Sequence, residues 1–143
     1  MDIRPLTPAY AVSPQIEPDD IAAIKAAGYT TVICNRPDSE IPPELHADAI
    51  RAAAEAAGLT FVENPVVGGA LTMENVIAQG AALDQAQGPV LAYCASGNRS
   101  SIVWALSRAG MMRTDDLIGL PARHGYELEG LRPQIEALAA QRR

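Results

Sequence analysis

A chain of 143 residues with 48% hydrophobic and 20% charged side chains suits one globular domain, spanning residues 1–143, and excludes a disordered chain. The formal net charge of −6 argues against a general binder of nucleic acids or of anionic membranes. No apolar run approaches the roughly 20 residues of a membrane span, and the first residues lack the apolar segment of a signal peptide. We therefore expect a cytoplasmic protein whose two cysteines are reduced thiols.

Strands and helices alternate along the chain. Apolar runs rich in β-branched residues predict strands at 9–15, 29–35, 59–65 and 89–94. Periodic apolar residues between helix-start and helix-stop signals predict helices at 17–28, 45–58, 73–88, 100–110, 114–125 and 128–143. This alternation indicates an α/β fold with a mainly parallel central sheet flanked by helices. Ligands of such sheets bind at the carboxyl ends of the strands.

The segment CASGNRS, which begins at Cys94, joins a strand to a helix and is the strongest candidate for a functional site. Successive backbone N–H groups in a tight turn form an anion-binding concavity, and Gly97 permits the turn. The helix that begins near Ser100 adds the positive end of its dipole. Arg99 adds a guanidinium that grips two oxygens of an anion. The same positive field favours a nucleophilic Cys94 thiolate, which the hydroxyl of Ser96 or Ser100 can contact.

Two interpretations of this segment compete. A buried cysteine at a strand end is often only a small hydrophobic residue, and Gly-Asn is ordinary turn chemistry. The strand–loop–helix context and the small residues of the loop favour the catalytic interpretation. We therefore predict Cys94 and Arg99 as catalytic residues. The predicted substrate-binding residues are Ala95, Ser96, Gly97, Asn98, Ser100 and Arg36.

Arg36 follows another predicted strand, so it either lines the same rim or forms an ion pair with Asp38 or Glu40. Cys34 ends the same strand, where a buried structural thiol is favoured over a partner that resolves an oxidised Cys94.

Four other residues carry side chains that can have a special role. Two histidines, His46 and His124, have no ligand spacing around them, which predicts neither a metal site nor a cofactor. Trp104 is predicted to anchor the core. Tyr93 is predicted to pack, with its hydroxyl near a polar partner.

The loop sequence also carries a family resemblance. YCASGNRSSIVWALSRAG is similar to the active-site loop of rhodanese sulfurtransferases, in which Cys-x-x-Gly-x-Arg-Ser precedes a helix. Over about residues 2–109, the pieces DIRPLTPAYAVSPQI, AGYTTVICNRPDSE, GLTFVENPVVGG and GPVLAYCASGNRS resemble the phosphatase-like domain of beta-lactamase hydrolase-like proteins. That resemblance implies the fold of the cysteine-dependent dual-specificity phosphatases. Members of that family are described as phosphatases or as sulfurtransferases, and some are associated with persulfide dioxygenases.

Two departures from the phosphatase pattern bear on the reaction. Cysteine phosphatases use Cys-x5-Arg after a histidine, whereas here the spacing is Cys-x4-Arg and Tyr93 precedes the cysteine. A shorter loop predicts a smaller cradle, suited to the outer sulfur of a persulfide. The upstream loop NPVVGGALT contains no carboxylate to protonate a leaving oxygen, a contribution worth about 10²–10⁴-fold. The nearest carboxylates, Asp38, Glu63 and Glu74, lie outside that loop.

These departures favour sulfur transfer as the predicted function. In that reaction, Cys94 takes the outer sulfur of thiosulfate or a persulfide and passes it to a small thiol acceptor or cyanide. Arg99 and the N–H groups of residues 95–99 would stabilise the anions. The first alternative is a phosphatase that acts through phosphocysteine on an anionic phosphate substrate. The second is a non-catalytic module that binds an anion or sulfur, with a persulfide dioxygenase as a candidate partner.

Overall fold

The computed structural model describes residues 1–142, which form a five-stranded sheet with helices on both faces. In chain order the strands are β1 (Arg4–Thr7), β2 (Tyr10–Ser13), β3 (Thr31–Cys34), β4 (Thr60–Glu63) and β5 (Val90–Tyr93). The helices are α1 (Ile21–Ala26), α2 (Ala47–Ala56), α3 (Met73–Gln85), α4 (Asn98–Ser107), α5 (Thr114–Ala122) and α6 (Arg132–Arg142). The strand order is β1-β2-β5-β3-β4, and only β1 is antiparallel to its neighbour. The predicted α/β fold with a mainly parallel sheet is confirmed.

Apolar residues cover both faces of the sheet, as the alternation of side chains along each strand requires. In β3, Val32 packs in a core with α1 and α2, while the next residue, Ile33, packs in a core with α3 to α6. Trp104 of α4 is 2% exposed and stacks on Tyr10, with 5.7 Å between ring centroids. Trp104 therefore anchors the second core. No helix within residues 1–142 is both long enough and apolar enough to cross a membrane.

The register of the parallel strands brings their carboxyl ends to one edge. Tyr93 at the end of β5 pairs with Ser13 of β2 and with Cys34 of β3, and Cys34 pairs in turn with Glu63 of β4. The residues that follow these strand ends are therefore neighbours in space, and Cys94 is among them.

A buried network of polar side chains stands beneath this edge. Gln79 of α3 accepts hydrogen bonds of 2.9 Å from the side-chain amides of Asn35 and Asn64. It donates to the hydroxyl of Tyr10 at 3.1 Å, and Tyr10 donates to the carbonyl of Ser100 at 2.8 Å. Because buried polar groups left without partners cost free energy, these bonds fix α3 and α4 against the ends of β3 and β4.

The structure differs from the sequence-based prediction at the sheet edge and at two helix starts. β1 is not among the predicted strands; it lies at the edge of the sheet, where a proline such as Pro5 is tolerated. α4 begins at Asn98 rather than at Ser100, because Gly97 takes the N-cap position. α6 begins at Arg132 rather than at residue 128, and Pro133 lies in its first turn, where the missing N–H of a proline is not needed.

Candidate active site

Cys94 lies directly after β5 at the carboxyl edge of the sheet, and it is fully buried. Its Sγ accepts a hydrogen bond of 3.1 Å from the backbone N–H of Gly97. Gly97 has a φ of +98° and is the N-cap of α4, so the chain turns from strand into helix around the sulfur. The backbone donor and the positive end of the helix both favour negative charge at this position.

The predicted substrate-binding residues around Cys94 form a turn whose outer face is open to solvent. Ala95, Ser96 and Asn98 are exposed. The Oγ atom of Ser96 accepts a 3.2 Å hydrogen bond from the N–H of Asn98, and the buried Oγ of Ser100 donates to Asn35 at 2.9 Å. Neither hydroxyl forms the predicted hydrogen bond to the sulfur of Cys94: the Ser100 hydroxyl is donated to Asn35, and that of Ser96 accepts from Asn98.

Arg99 lies in the first turn of α4, and its guanidinium is held by hydrogen bonds to Glu40 and Val66. Nη1 donates to Oε2 of Glu40 at 2.7 Å and to the carbonyl of Val66 at 2.8 Å, and Nη2 donates to Oε1 of Glu40 at 2.8 Å. These contacts use three of the five N–H donors of an arginine side chain. The Nε–H and the second Nη2–H form the other fork, which suits two oxygens of a tetrahedral anion.

Glu40 is a carboxylate and not an acid in this site. Hydrogen bonds from Arg99 are the main cause that lowers the pKa of Glu40, and Arg36 adds to them. A carboxyl whose pKa is lowered by folding keeps its stabilising charge until the pH falls through that lowered pKa. The pKa of Arg99 is raised, chiefly by Glu40 and further by the neighbouring Cys94 sulfur.

Arg36 lies on the same rim as Arg99, and the two share Glu40. The Nε atom of Arg36 donates to Glu40 at 3.2 Å, and its Nη1 donates to the side chain of Gln15 at 3.4 Å. The ion pair of Arg36 with Glu40, one of the two arrangements weighed for Arg36, is therefore formed, and through Glu40 it lies next to Arg99.

The loop between β4 and α3, residues 64–72, reaches Arg99 with a backbone carbonyl rather than a carboxylate. The three carboxylates that the sequence offers as candidate acids are either bonded to other groups or exposed. Asp38 accepts a 2.8 Å hydrogen bond from the N–H of Ala47, Glu63 contacts Arg51 at 3.3 Å, and Glu74 is exposed on α3. None of these contacts brings a protonated carboxyl to the Cys94 loop.

Cys34 is placed in the core on the α1–α2 face of the sheet. It is 1% exposed, its Sγ–H donates to the carbonyl of Arg36 at 3.3 Å, and burial raises the pKa of its thiol. Tyr93 is fully buried in the same core. These surroundings are those of a structural thiol.

The two histidines lie in different parts of the fold, and each contacts a backbone carbonyl. Nε2 of His46 lies 3.0 Å from the carbonyl of Ile41, and Nε2 of His124 lies 2.9 Å from that of Pro5. Within residues 1–142, no group of three histidine, cysteine or acidic side chains is arranged to hold a metal ion.

Two contacts of the site were not predicted from the sequence, that of Glu40 with Arg99 and that of Tyr126 with the Cys94 loop. Glu40 stands four residues after Arg36, a helical spacing for an ion pair, but nothing in the sequence connects it with Arg99. Tyr126 donates a 2.7 Å hydrogen bond to the carbonyl of Ser96 from a segment distant in the chain. Only the fold brings these residues to the Cys94 loop.

Replacing Glu40 with glutamine is expected to lower kcat/KM about tenfold, because the amide cannot hold Arg99 with two charged contacts. The matched control is Glu44→Gln, which changes an exposed glutamate in the following turn. Steady-state kinetics of both variants provide the measurement. Equal kcat/KM in the two variants would show that Arg99 does not depend on Glu40.

A protein-family model described as "Beta-lactamase hydrolase-like protein, phosphatase-like domain" matches residues 2–111. A beta-lactamase hydrolase-like protein of Xylella fastidiosa is 35% identical over 130 residues, which are 90% of this chain and 30% of that protein. A relative of the same description from Agrobacterium fabrum is 31% identical over 111 residues, 76% of this chain and 26% of that protein. The chain thus spans under a third of the length of these relatives.

The fold is also similar to that of a solved structure. A candidate phosphatase from Neisseria meningitidis is 34% identical and superposes with a TM-score of 0.81. That match covers 96% of this chain and 99% of the other. The resemblance to the phosphatase-like domain of beta-lactamase hydrolase-like proteins is confirmed.

Proposed function

Because the chain belongs to the family of phosphatase-like domains of beta-lactamase hydrolase-like proteins, we propose that it is a cysteine-dependent phosphatase with Cys94 as nucleophile. The Cys94 thiolate attacks the phosphorus of a phosphate monoester, so that an S–P bond forms as the ester P–O bond breaks. The leaving oxygen takes a proton from solvent. A water molecule then attacks the phosphocysteine, which releases phosphate and a proton and restores the thiolate.

The hydrogen bond from Gly97 N–H to Cys94 Sγ is the observation that carries this proposal. A backbone donor aimed at a buried sulfur, at the start of a helix, favours a thiolate over an inert thiol. The remaining fork of Arg99 and the N–H groups of the 95–98 turn are the donors assigned to the phosphoryl oxygens. Arg36 is assigned to a second anionic group of the substrate.

The reaction is expected to depend steeply on the leaving group, because the loop that reaches Arg99 brings no carboxyl to protonate it. Aryl phosphates with acidic phenols are expected to turn over about 10²–10⁴-fold faster than alkyl phosphates. A series of substituted phenyl phosphates, compared by kcat/KM, measures this dependence. A flat series with chemistry as the slow step would contradict it and would indicate a general acid.

Sulfur transfer at the same Cys94 is the second candidate, and two observations favour it. The loop has one residue fewer between cysteine and arginine than the phosphatase pattern, and Cys94 is buried, which leaves little space around its sulfur. The outer sulfur of a persulfide is smaller than a phosphoryl group, and its transfer needs no acid. Under this candidate a small thiol is the acceptor, and a persulfide dioxygenase is the proposed partner.

Paired assays of one preparation separate these reactions. One assay follows release of phosphate from p-nitrophenyl phosphate, and the other follows transfer of sulfur from thiosulfate to cyanide or glutathione. Mass spectrometry of the quenched protein then shows whether Cys94 has gained a phosphoryl group or a sulfur atom. Phosphate release with phosphocysteine supports the first proposal, whereas sulfur turnover with a Cys94 persulfide replaces it with the second. Absence of both reactions, with anion binding retained, would indicate a binding module.

A further inference from the structure

The peptide unit between Ser96 and Gly97 is held at both of its polar ends. Its N–H, which belongs to Gly97, donates to Cys94 Sγ at 3.1 Å. Its carbonyl, which belongs to Ser96, accepts a 2.7 Å hydrogen bond from the hydroxyl of Tyr126. In a trans peptide the C=O and N–H point in opposite directions. The tyrosine therefore holds the end of the unit that faces away from the sulfur.

Tyr126 is itself held by Arg4 of the edge strand β1. Nη1 of Arg4 donates to the Tyr126 hydroxyl at 2.6 Å, and its guanidinium carbon lies 5.6 Å from the centre of the tyrosine ring. Asp2 pairs with the same guanidinium. Burial raises the pKa of Tyr126, so the phenol stays protonated and donates to the carbonyl while it accepts from Arg4.

The contact between Tyr126 and the loop leaves no spare room. Tyr126 is only 6% exposed, and a Cβ atom placed on Gly97 would lie 2.2 Å from the tyrosine oxygen. The hydroxyl thus lies directly against the backbone turn. This segment follows α5 and lies beyond residues 2–111, the part of the chain that the family model matches.

We propose that Tyr126 is a positioning residue that fixes the Ser96–Gly97 peptide so that its N–H faces the sulfur of Cys94, with Arg4 as its support. A hydrogen bond to the carbonyl polarises the whole peptide unit, which strengthens the N–H as a donor at the other end. The positive charge of Arg4 acts in the same direction, because it makes the phenol a stronger donor. The inference rests on the proposed role of Cys94 as nucleophile but not on the choice between phosphate and sulfur.

The test is the pH profile of Cys94 alkylation by iodoacetamide, in wild type and in Tyr126→Phe. Peptide mass spectrometry separates Cys94 from Cys34. The charged or titratable groups around this peptide are Cys94, Arg4, Asp2 and Tyr126, with Arg99 on α4. The phenylalanine variant keeps the ring and removes only the hydroxyl. The matched control is Tyr29→Phe, which changes a half-buried tyrosine that packs against the other core.

At pH values below the midpoint of the profile, Cys94 of Tyr126→Phe is expected to be alkylated about three- to tenfold more slowly than that of wild type. A change of this size corresponds to the loss of one hydrogen bond. The midpoint moves to higher pH, and kcat falls by more than KM changes. Arg4→Met, which keeps the apolar stem, is expected to give a smaller loss in the same direction. This second variant also keeps the test valid if Tyr126→Phe does not fold.

A folded Tyr126→Phe with the wild-type alkylation profile would overturn the inference, and so would an equal loss in Tyr29→Phe. Failure of the proposed function has a different signature. In that case Cys94→Ser retains turnover, or wild type turns over neither substrate, whatever the alkylation profiles of the tyrosine variants show.

Discussion

Cys94→Ser is expected to lower kcat/KM by about 10³-fold or more, for whichever of the two substrates wild type turns over. A serine hydroxyl lacks the thiolate that both reactions need as nucleophile, and loss of a covalent nucleophile ranks among the largest single effects in enzymes. Serine is close to cysteine in size, so we expect the fold to persist. Steady-state assays and a thermal unfolding curve measure the two properties separately.

The second cysteine provides the matched control. Cys34→Ser introduces the same change at a buried site in the core on the α1–α2 face of the sheet, where the thiol contacts the backbone carbonyl of Arg36. It is expected to reduce the free energy of unfolding by about 1–3 kcal/mol and to leave kcat/KM close to that of wild type. Turnover retained in Cys94→Ser would contradict the assignment of the nucleophile. Turnover lost equally in both variants would restore Cys34 as a partner in the reaction.

Gly97→Ala is expected to have the second largest effect, a loss of about 10²-fold in kcat/KM together with reduced stability. The φ of Gly97 is +98°, a region that costs a residue with a Cβ atom about 1–2 kcal/mol. The new Cβ would in addition lie 2.2 Å from the hydroxyl oxygen and 2.9 Å from Cζ of Tyr126. The loop must shift to relieve this contact, and the Gly97 N–H then leaves the sulfur.

Gly28→Ala separates the cost of the positive φ from the cost of the steric contact with Tyr126. Gly28 has a φ of +101°, nearly that of Gly97, but a Cβ there would meet no atom within 4 Å. Urea unfolding is expected to show that the free energy of unfolding falls by about 1 kcal/mol in Gly28→Ala and by about 3 kcal/mol or more in Gly97→Ala. Equal losses of stability, with full activity in Gly97→Ala, would show that the loop absorbs the extra atom.

The loop sequence and the family membership point to different reactions at Cys94. The short loop and the missing carboxylate favoured sulfur transfer over phosphate hydrolysis. The matching family and the Neisseria structure fit the phosphatase alternative better. Both reactions use the same nucleophile and the same anion cradle, so the sequence features that identify the cradle do not by themselves distinguish the transferred group.

The sequence alone determined the α/β fold and indicated the loop from Cys94 to Arg99, because both are local signals. Apolar runs that alternate with helical periodicity identify the sheet, and a glycine turn between a strand and a helix marks the loop that we propose as an anion-binding site. Only the tertiary structure decided what surrounds that loop. Glu40 and Tyr126 reach it from distant parts of the chain, and their contacts depend on strand order and helix packing, which no short stretch of sequence encodes.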